Sequence, residues 1–168
     1  MSNKTNFIIR YLFVVLLGVF LHFAYELSGK NTIVGLFTPI NESTWEHLKL
    51  LFTPMLLLTI WDSSTATSKK PRFLPARVFG ILMGLLFITI AFYTINGILG
   101  KTVDWINIVI FLLGVLLAFW AENRFLYYNK YGSRLLNTTS AILLLIALSI
   151  LFVVFTITPP DIGIFRIP

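Results

Sequence analysis

The sequence contains no cysteine among its 168 residues. This absence excludes disulfides, thiolate metal ligands and cysteine nucleophiles, and it leaves the redox compartment undetermined. Charge is also scarce, because 12% of the residues are charged, whereas soluble domains carry about 25%. Hydrophobic residues make up 57% of the chain, and its mean hydropathy is +0.87. We therefore expect one all-α domain over residues 1–168, a polytopic transmembrane helix bundle.

Several sequence signatures are missing as well. The chain has no phosphate-binding glycine loop, EF-hand, Rossmann fingerprint or H-E-x-x-H zinc motif. The net charge of +6 could suggest nucleic-acid binding, but the basic residues lie between apolar stretches, as topology signals do. We expect the lipid bilayer, and no nucleic acid, as a partner.

Five stretches predict membrane-spanning helices. They are residues 7–27, 42–62, 76–99, 104–127 and 134–158. The first is expected to be a retained helix rather than a cleaved signal peptide, because its apolar run is long and no A-x-A-like site follows it. An odd number of spans places the two termini on opposite sides of the membrane.

The basic residues predict the direction of insertion. Nine of them fall on one side of the predicted topology, namely Lys4, Arg10, Lys69, Lys70, Arg72, Arg77, Arg124, Lys130 and Arg134. Three fall on the other side, namely Lys30, Lys101 and Arg166. The positive-inside rule then places the N-terminus in the cytoplasm and the C-terminus outside, in a multi-pass protein of the cytoplasmic membrane.

The second predicted span is unusual because its apolar part is short. Residues 50–61 form a run of twelve, whereas a spanning helix needs about 20 residues. The helix must therefore include the polar positions that precede this run, which brings Glu46, His47 and Lys49 toward lipid depth. Ionisable groups cost roughly 2.5–3.5 kcal/mol each at the centre of a spanning helix, and they mark functional sites by default.

The first span carries polar residues at the same predicted depth. His22 and Glu26 are four residues apart and lie on one helix face, in the outer third of the span. We therefore predict an outer-leaflet pocket that binds or translocates a small polar solute or an ion. Its predicted lining residues are His22, Glu26, Asn41, Glu42, Trp45, Glu46, His47 and Lys49.

A metal site is an alternative for the same residues. Two imidazoles and one carboxylate form a known catalytic zinc set, and His22 and Glu26 could supply it with either Glu46 or His47. Zinc or another divalent metal would then serve an intramembrane hydrolase or transferase acting on lipid or on an exported substrate. A third hypothesis is a structural or accessory membrane subunit, in which Glu46 pairs with Lys49 and the cluster only joins two helices.

Other polar positions have structural interpretations. Asn41 is the expected N-cap of the second helix, and Glu42 is expected at its positive end, near the interface. Glu122 is expected to form an interfacial pair with its neighbour Arg124. The apolar segments 33–37 and 162–165 are either lids over the outer pocket or interfacial anchors.

Small residues predict helix packing faces in the third and fourth spans. Gly80 and Gly84 are four residues apart, as are Gly114 and Ala118. Such spacing lets two helix backbones approach closely. The sequence leaves open whether these faces join helices within one chain or between the chains of an oligomer.

The stretch Asn41-Glu42-Ser43-Thr44-Trp45-Glu46-His47 carries a resemblance. It resembles a family of small, uncharacterised bacterial integral membrane proteins with an N-E-S-x-W-E-H motif. The similarity extends to residues 22–26 and to the Thr158-Pro159-Pro160 stretch near the end of the sequence. The resemblance implies a bacterial membrane origin and supplies no reaction.

Overall fold

A computed structural model describes residues 3–64, 72–128 and 136–168. Within these ranges the chain forms six α-helices and no strand. The helices are α1 (Asn3–Leu27), α2 (Thr32–Gly35), α3 (Thr44–Ser63), α4 (Phe73–Leu99), α5 (Asp104–Tyr128) and α6 (Thr138–Ile157). A 3₁₀ turn over Gly163–Phe165 follows α6.

Four of the helices are long and apolar enough to cross a membrane. They are Asn6–Leu27 within α1, Phe73–Leu99, Asp104–Tyr127 and Thr138–Ile157. The protein is therefore a helical, multi-pass membrane protein, and this part of the sequence-based prediction is confirmed. The second predicted span corresponds to α3, which does not reach the same apolarity because it contains Glu46, Lys49 and Asp62. Five spans and the direction of insertion stay predictions.

Helix α3 lies at the centre of the bundle. Of its 20 residues, 13 are buried, including Leu51 and Met55 with no exposed surface. It packs against α1, α4, α5, α6 and the 3₁₀ turn. Helices α1 and α6 instead expose large apolar side chains, such as Leu16 and Leu143, as expected for surfaces that face lipid. A central helix can hold charged groups because neighbouring helices supply their partners.

Helices α4 and α5 pack through their small residues. A Cβ atom added at Gly80 would lie 2.5 Å from the carbonyl oxygen of Ala118, and one at Gly84 would lie 3.0 Å from that of Gly114. The two predicted packing faces therefore meet each other within one chain. The oligomer that the sequence leaves open stays a prediction.

The start of α3 differs from the prediction. Ser43 is its N-cap, and the Ser43 hydroxyl accepts a hydrogen bond from the backbone N–H of Glu46 at 3.4 Å. Asn41, the predicted N-cap, instead accepts from the backbone N–H of Ser43 at 2.9 Å. The helix begins at Thr44, so Glu42 lies in the preceding loop and not on the same helix face as Glu46.

Both apolar loop segments cover the same end of α3. Segment 33–37 includes the short helix α2, and the carbonyl oxygen of Phe37 accepts a hydrogen bond from the Thr53 hydroxyl at 2.8 Å. In the final segment, the ring of Phe165 lies 5.0 Å from that of Trp45. The two segments therefore pack on protein rather than extending into solvent, although Ile33 is 71% exposed.

Candidate functional site

Three metal-ligating side chains converge at one end of the bundle. His22 comes from α1, His47 from α3, and Glu42 from the loop before α3. One ligand atom from each lies within 4.8 Å of the other two. The two imidazole centroids are 5.2 Å apart, and a Glu42 carboxylate oxygen lies 3.3 Å from Nε2 of His47. We call this group the histidine trio and the surrounding part of the bundle the histidine end.

The local fold of α3 orients His47. Its Nδ1 atom lies 3.0 Å from the backbone carbonyl oxygen of Ser43, one helical turn earlier. A carbonyl accepts and cannot donate, so Nδ1 carries the proton in the neutral ring and Nε2 presents a lone pair. Histidines that bind metals typically donate their second nitrogen to a carbonyl in this way. The N-cap residue therefore also directs Nε2 toward Glu42.

His22 has a polar atom without a protein partner. Its Nδ1 is buried and makes no hydrogen bond to any residue in the described part of the chain. A buried nitrogen left without a partner lowers the stability of the fold by about 1–3 kcal/mol. Such an atom is expected where a ligand binds, because the ligand then supplies the missing interaction.

The trio is accessible from outside the bundle. The side chain of Glu42 is 68% exposed, and that of His47 is 30% exposed. Tetrahedral zinc with bonds of about 2.0–2.1 Å requires ligand atoms about 3.4 Å apart. The separation of Glu42 and His47 matches this value, and the ligand atom of His22 lies within 4.8 Å of both. In their chemistry, two imidazoles and one carboxylate match the donors that divalent zinc prefers.

Glu46 and Lys49 belong to a separate, fully bonded network. The Lys49 ammonium donates to the Glu46 carboxylate at 2.7 Å and to the carbonyl oxygens of Gly35 and Thr38 at 3.0 and 3.2 Å. Glu46 also accepts from the backbone N–H of Ile40 and from the Thr156 hydroxyl. These bonds hold the loop before α3 and helix α6 against α3. Glu46 does not join the histidine trio.

The remaining predicted residues lie around these two groups. Glu26 is exposed and pairs with Lys30 at 3.5 Å, so it does not contribute to the trio either. In the structure Glu42, and neither Glu26 nor Glu46, lies beside His22 and His47, and a metal site at these residues stays a prediction. Trp45 packs between the rings of Phe152 and Phe165. Trp45 therefore joins α6 and the final segment to the start of α3.

Comparison with known proteins adds a family and no activity. The model of a family described as "Family of unknown function (DUF6512)" matches residues 1–167. The chain belongs to this family. No curated protein and no solved structure matches it. A family without an assigned function agrees with the resemblance seen in the sequence, while the motif as its signature and the bacterial origin stay predictions.

A second charged cluster lies at the opposite end of the bundle. Arg77 of α4 is completely buried and bonds to Glu122 of α5 at 2.9 and 3.1 Å and to Asp62 of α3 at 2.8 Å. Arg10 of α1 also donates to Asp62. We call these four residues the arginine cluster and this part of the bundle the arginine end.

The arginine cluster was not predicted from the sequence. Arg10 and Arg77 were interpreted as topology signals, and Glu122 was expected at the interface with Arg124. Glu122 is in fact 3% exposed and bonded to Arg77. One feature of the sequence could have predicted the cluster. Arg77 lies inside a predicted apolar span, and the chain has only seven acidic residues that could neutralise it. Asp161 and Arg166, by contrast, form an exposed pair with each other at 2.9 Å.

Proposed function

We propose that this protein binds a divalent transition-metal cation, with zinc as the reference ion, at His22, Glu42 and His47. The observation that carries the proposal is the convergence of three ligand atoms from α1, α3 and the loop between them. The carbonyl oxygen that orients His47 supports it, because it leaves Nε2 free to bind. Neutral imidazoles and a carboxylate are the ligands that zinc prefers in the absence of cysteine.

The position of the trio favours capture of the ion at one membrane face. Along α3, Asp62 lies thirteen positions after Lys49, a distance of about 20 Å at the helical rise. Leu51 and Met55 fill the intervening core with no exposed surface. A solute that passes from the trio to the arginine end would have to cross this apolar layer, so translocation requires a second conformation.

The same three ligands support a second function, metal-assisted hydrolysis. Two imidazoles and one carboxylate leave a fourth position for water, as in catalytic zinc sites. The exposure of Glu42 leaves that position accessible. Zinc-loaded protein that cleaves lipid or peptide esters, with loss of cleavage in Glu42→Gln, would favour this function over ion binding alone. Zinc binding without cleavage of any ester would favour the first.

We also propose that α3 crosses the membrane together with the four apolar helices, which makes five spans, and that the histidine end faces outward from the bacterial cytoplasmic membrane. A helix of 20 residues is about 30 Å long, which equals the thickness of the hydrocarbon layer. The cysteine-free chain makes the test direct. In intact cells, an impermeant thiol reagent should label Lys101→Cys, whereas Ser64→Cys should react only after permeabilisation. The reverse pattern would contradict this orientation.

Zinc titration of the purified, detergent-solubilised protein tests the ion-binding proposal. We expect one ion per chain, with affinity reduced 10- to 100-fold or more in His22→Ala, His47→Ala and Glu42→Gln. Glu26→Gln is the matched control, because Glu26 lies on the same helix as His22 and pairs with exposed Lys30. Equal affinity in all four variants, or no binding in the wild type, would refute the proposal and favour a structural subunit.

A further inference from the structure

The three residues of the histidine trio differ in how the fold holds them. His22 and His47 lie on the long helices α1 and α3, so helix packing fixes their backbones. Glu42 lies between α2 and α3, in a segment over residues 36–43 that we call the ligand loop, and its side chain is 68% exposed. A carboxylate oxygen of Glu42 nevertheless lies 3.3 Å from Nε2 of His47. This approach therefore depends on the contacts that anchor the ligand loop.

Glu46 of α3 anchors the first part of the ligand loop. Its Oε2 atom accepts a hydrogen bond from the backbone N–H of Ile40 at 3.0 Å, two residues before Glu42. The Lys49 ammonium bonds to the same oxygen at 2.7 Å and to the carbonyl oxygen of Thr38 at 3.2 Å. Hydrogen bonds to an ionised group are stronger than those between neutral groups. One buried ion pair therefore fixes the chain that leads to Glu42.

Asn41 anchors the other side of Glu42. In a capping box, the residue at the third helical position bonds back to the backbone N–H of the N-cap residue. Ser43 and Glu46 occupy these two positions in α3. However, the N–H of Ser43 donates to the Asn41 side chain at 2.9 Å, and Glu46 reaches further back to Ile40. Glu42 is thus held between two anchored points of the backbone.

We propose that Glu46 and Asn41 are positioning residues of the metal site, which hold the Glu42 carboxylate beside His47. This inference rests on the proposed binding of a metal ion at the trio. Glu46 itself is not a ligand, because its carboxylate lies outside the group of ligand atoms that converge. Groups that orient the ligands of a metal ion typically change its affinity 10- to 100-fold when they are removed.

Two double variants that differ only at residue 46 test the role of Glu46. Both contain Lys49→Met, so that no buried charge is left unpaired. Glu46→Gln keeps an oxygen that can accept the N–H of Ile40, whereas Glu46→Met has a similar size and offers no such acceptor. In zinc titrations of the full-length protein in detergent, we expect the affinity to be at least tenfold lower with Met at this position than with Gln.

A change of background separates positioning from a general loss of stability. When Glu42→Gln is added to both double variants, the ligand that Glu46 positions is already altered, and their affinities should differ by less than about threefold. A merely structural role would give the same difference in both backgrounds. Thr156→Val is the control, because Thr156 donates to the other oxygen of Glu46, and it should bind zinc as the wild type does.

Asn41→Ala keeps the test valid if the buried double variants do not fold. It removes the acceptor for the N–H of Ser43 and leaves the buried ion pair intact. We expect its zinc affinity to fall at least tenfold. Asn41→Asp keeps an acceptor oxygen and should bind zinc at least as tightly as the wild type.

The outcomes distinguish this inference from the metal site itself. Zinc binding that is lost in His22→Ala and His47→Ala, but is equal in the two double variants and unchanged in Asn41→Ala, would overturn the positioning roles alone. A difference between the double variants that persists with Glu42→Gln would also overturn them. A wild-type protein that binds no zinc would refute the metal site and the positioning roles together.

Discussion

The arginine cluster and the histidine trio differ in how their polar groups are bonded. At the arginine end, Asp62 and Glu122 are 7% and 3% exposed at their side chains, and Arg77 bonds to both. At the histidine end, Glu42 and His47 are partly exposed, and a buried nitrogen of His22 has no partner in the described part of the chain. Closed networks stabilise one arrangement of helices, whereas an open group of ligand atoms has capacity to bind. Burial of charge alone therefore does not distinguish a structural cluster from a candidate binding site.

We expect the largest effect on stability from removing Arg77, which bonds to both carboxylates of the arginine cluster. Arg77→Leu leaves the carboxylates of Asp62 and Glu122 buried without their shared partner. Removing one member of a buried ion pair costs about 3–5 kcal/mol, so we expect a loss of at least that size in the free energy of unfolding in detergent. Arg166→Leu, which breaks an exposed pair, is the control and should cause no measurable loss. A similar effect of both changes would abolish the distinction between closed and exposed charges.

Variants of the Glu46–Lys49 pair test whether a closed network also exists beside the histidine trio. Lys49→Met leaves Glu46 buried and unpaired, and we expect a loss of about 3 kcal/mol in unfolding free energy. The double variant Lys49→Met with Glu46→Gln removes the uncompensated charge and should recover at least half of that loss. Failure of the second change to restore stability, measured by the same unfolding assay, would show that the pair is not a closed unit.

We expect a smaller effect on stability, one that involves no charge, from changes where α4 packs on α5. Gly80→Ala places a methyl group 2.5 Å from the Ala118 carbonyl oxygen and should cost about 1–3 kcal/mol by overpacking. Gly97→Ala in the same helix meets no atom within 4 Å and should stabilise the protein by up to about 1 kcal/mol. Thermal unfolding of the two variants should move in opposite directions. Equal shifts would argue against close contact of these helices.

The smallest effect on stability is expected at the histidine end. His22→Phe replaces an unpaired buried nitrogen with an apolar ring of comparable shape. Without metal, we expect the unfolding free energy to stay within about 1 kcal/mol of the wild-type value, or to rise. With saturating zinc, only the wild type should gain stability, because a ligand that binds the folded state raises its stability. A large loss in metal-free conditions would show that His22 supports the fold itself.

The sequence predicted the helices well because long apolar runs determine them. For example, residues 76–99 were predicted as a span and α4 covers Phe73–Leu99. The common depth of His22 and His47 also followed from helical rise and the position of each residue in its span. Which of Glu26, Glu42 and Glu46 lies beside the two histidines did not follow from the sequence. It depends on the rotation of the helices and on the Ser43 cap, which leaves Glu42 in a loop. Arg77 bonds to residues in distant segments of the chain, and local sequence patterns do not predict such contacts.

X-ray absorption at the zinc edge of the zinc-loaded protein is the decisive measurement for the histidine trio, because it identifies the atoms bound to the ion. We predict two imidazole nitrogens and one carboxylate oxygen at about 2.0–2.2 Å. We also predict that His22→Ala removes one imidazole from the spectrum and that Glu26→Gln leaves the spectrum unchanged. A zinc ion surrounded only by water or carboxylate oxygens, with no imidazole scattering, would contradict a metal site at the trio.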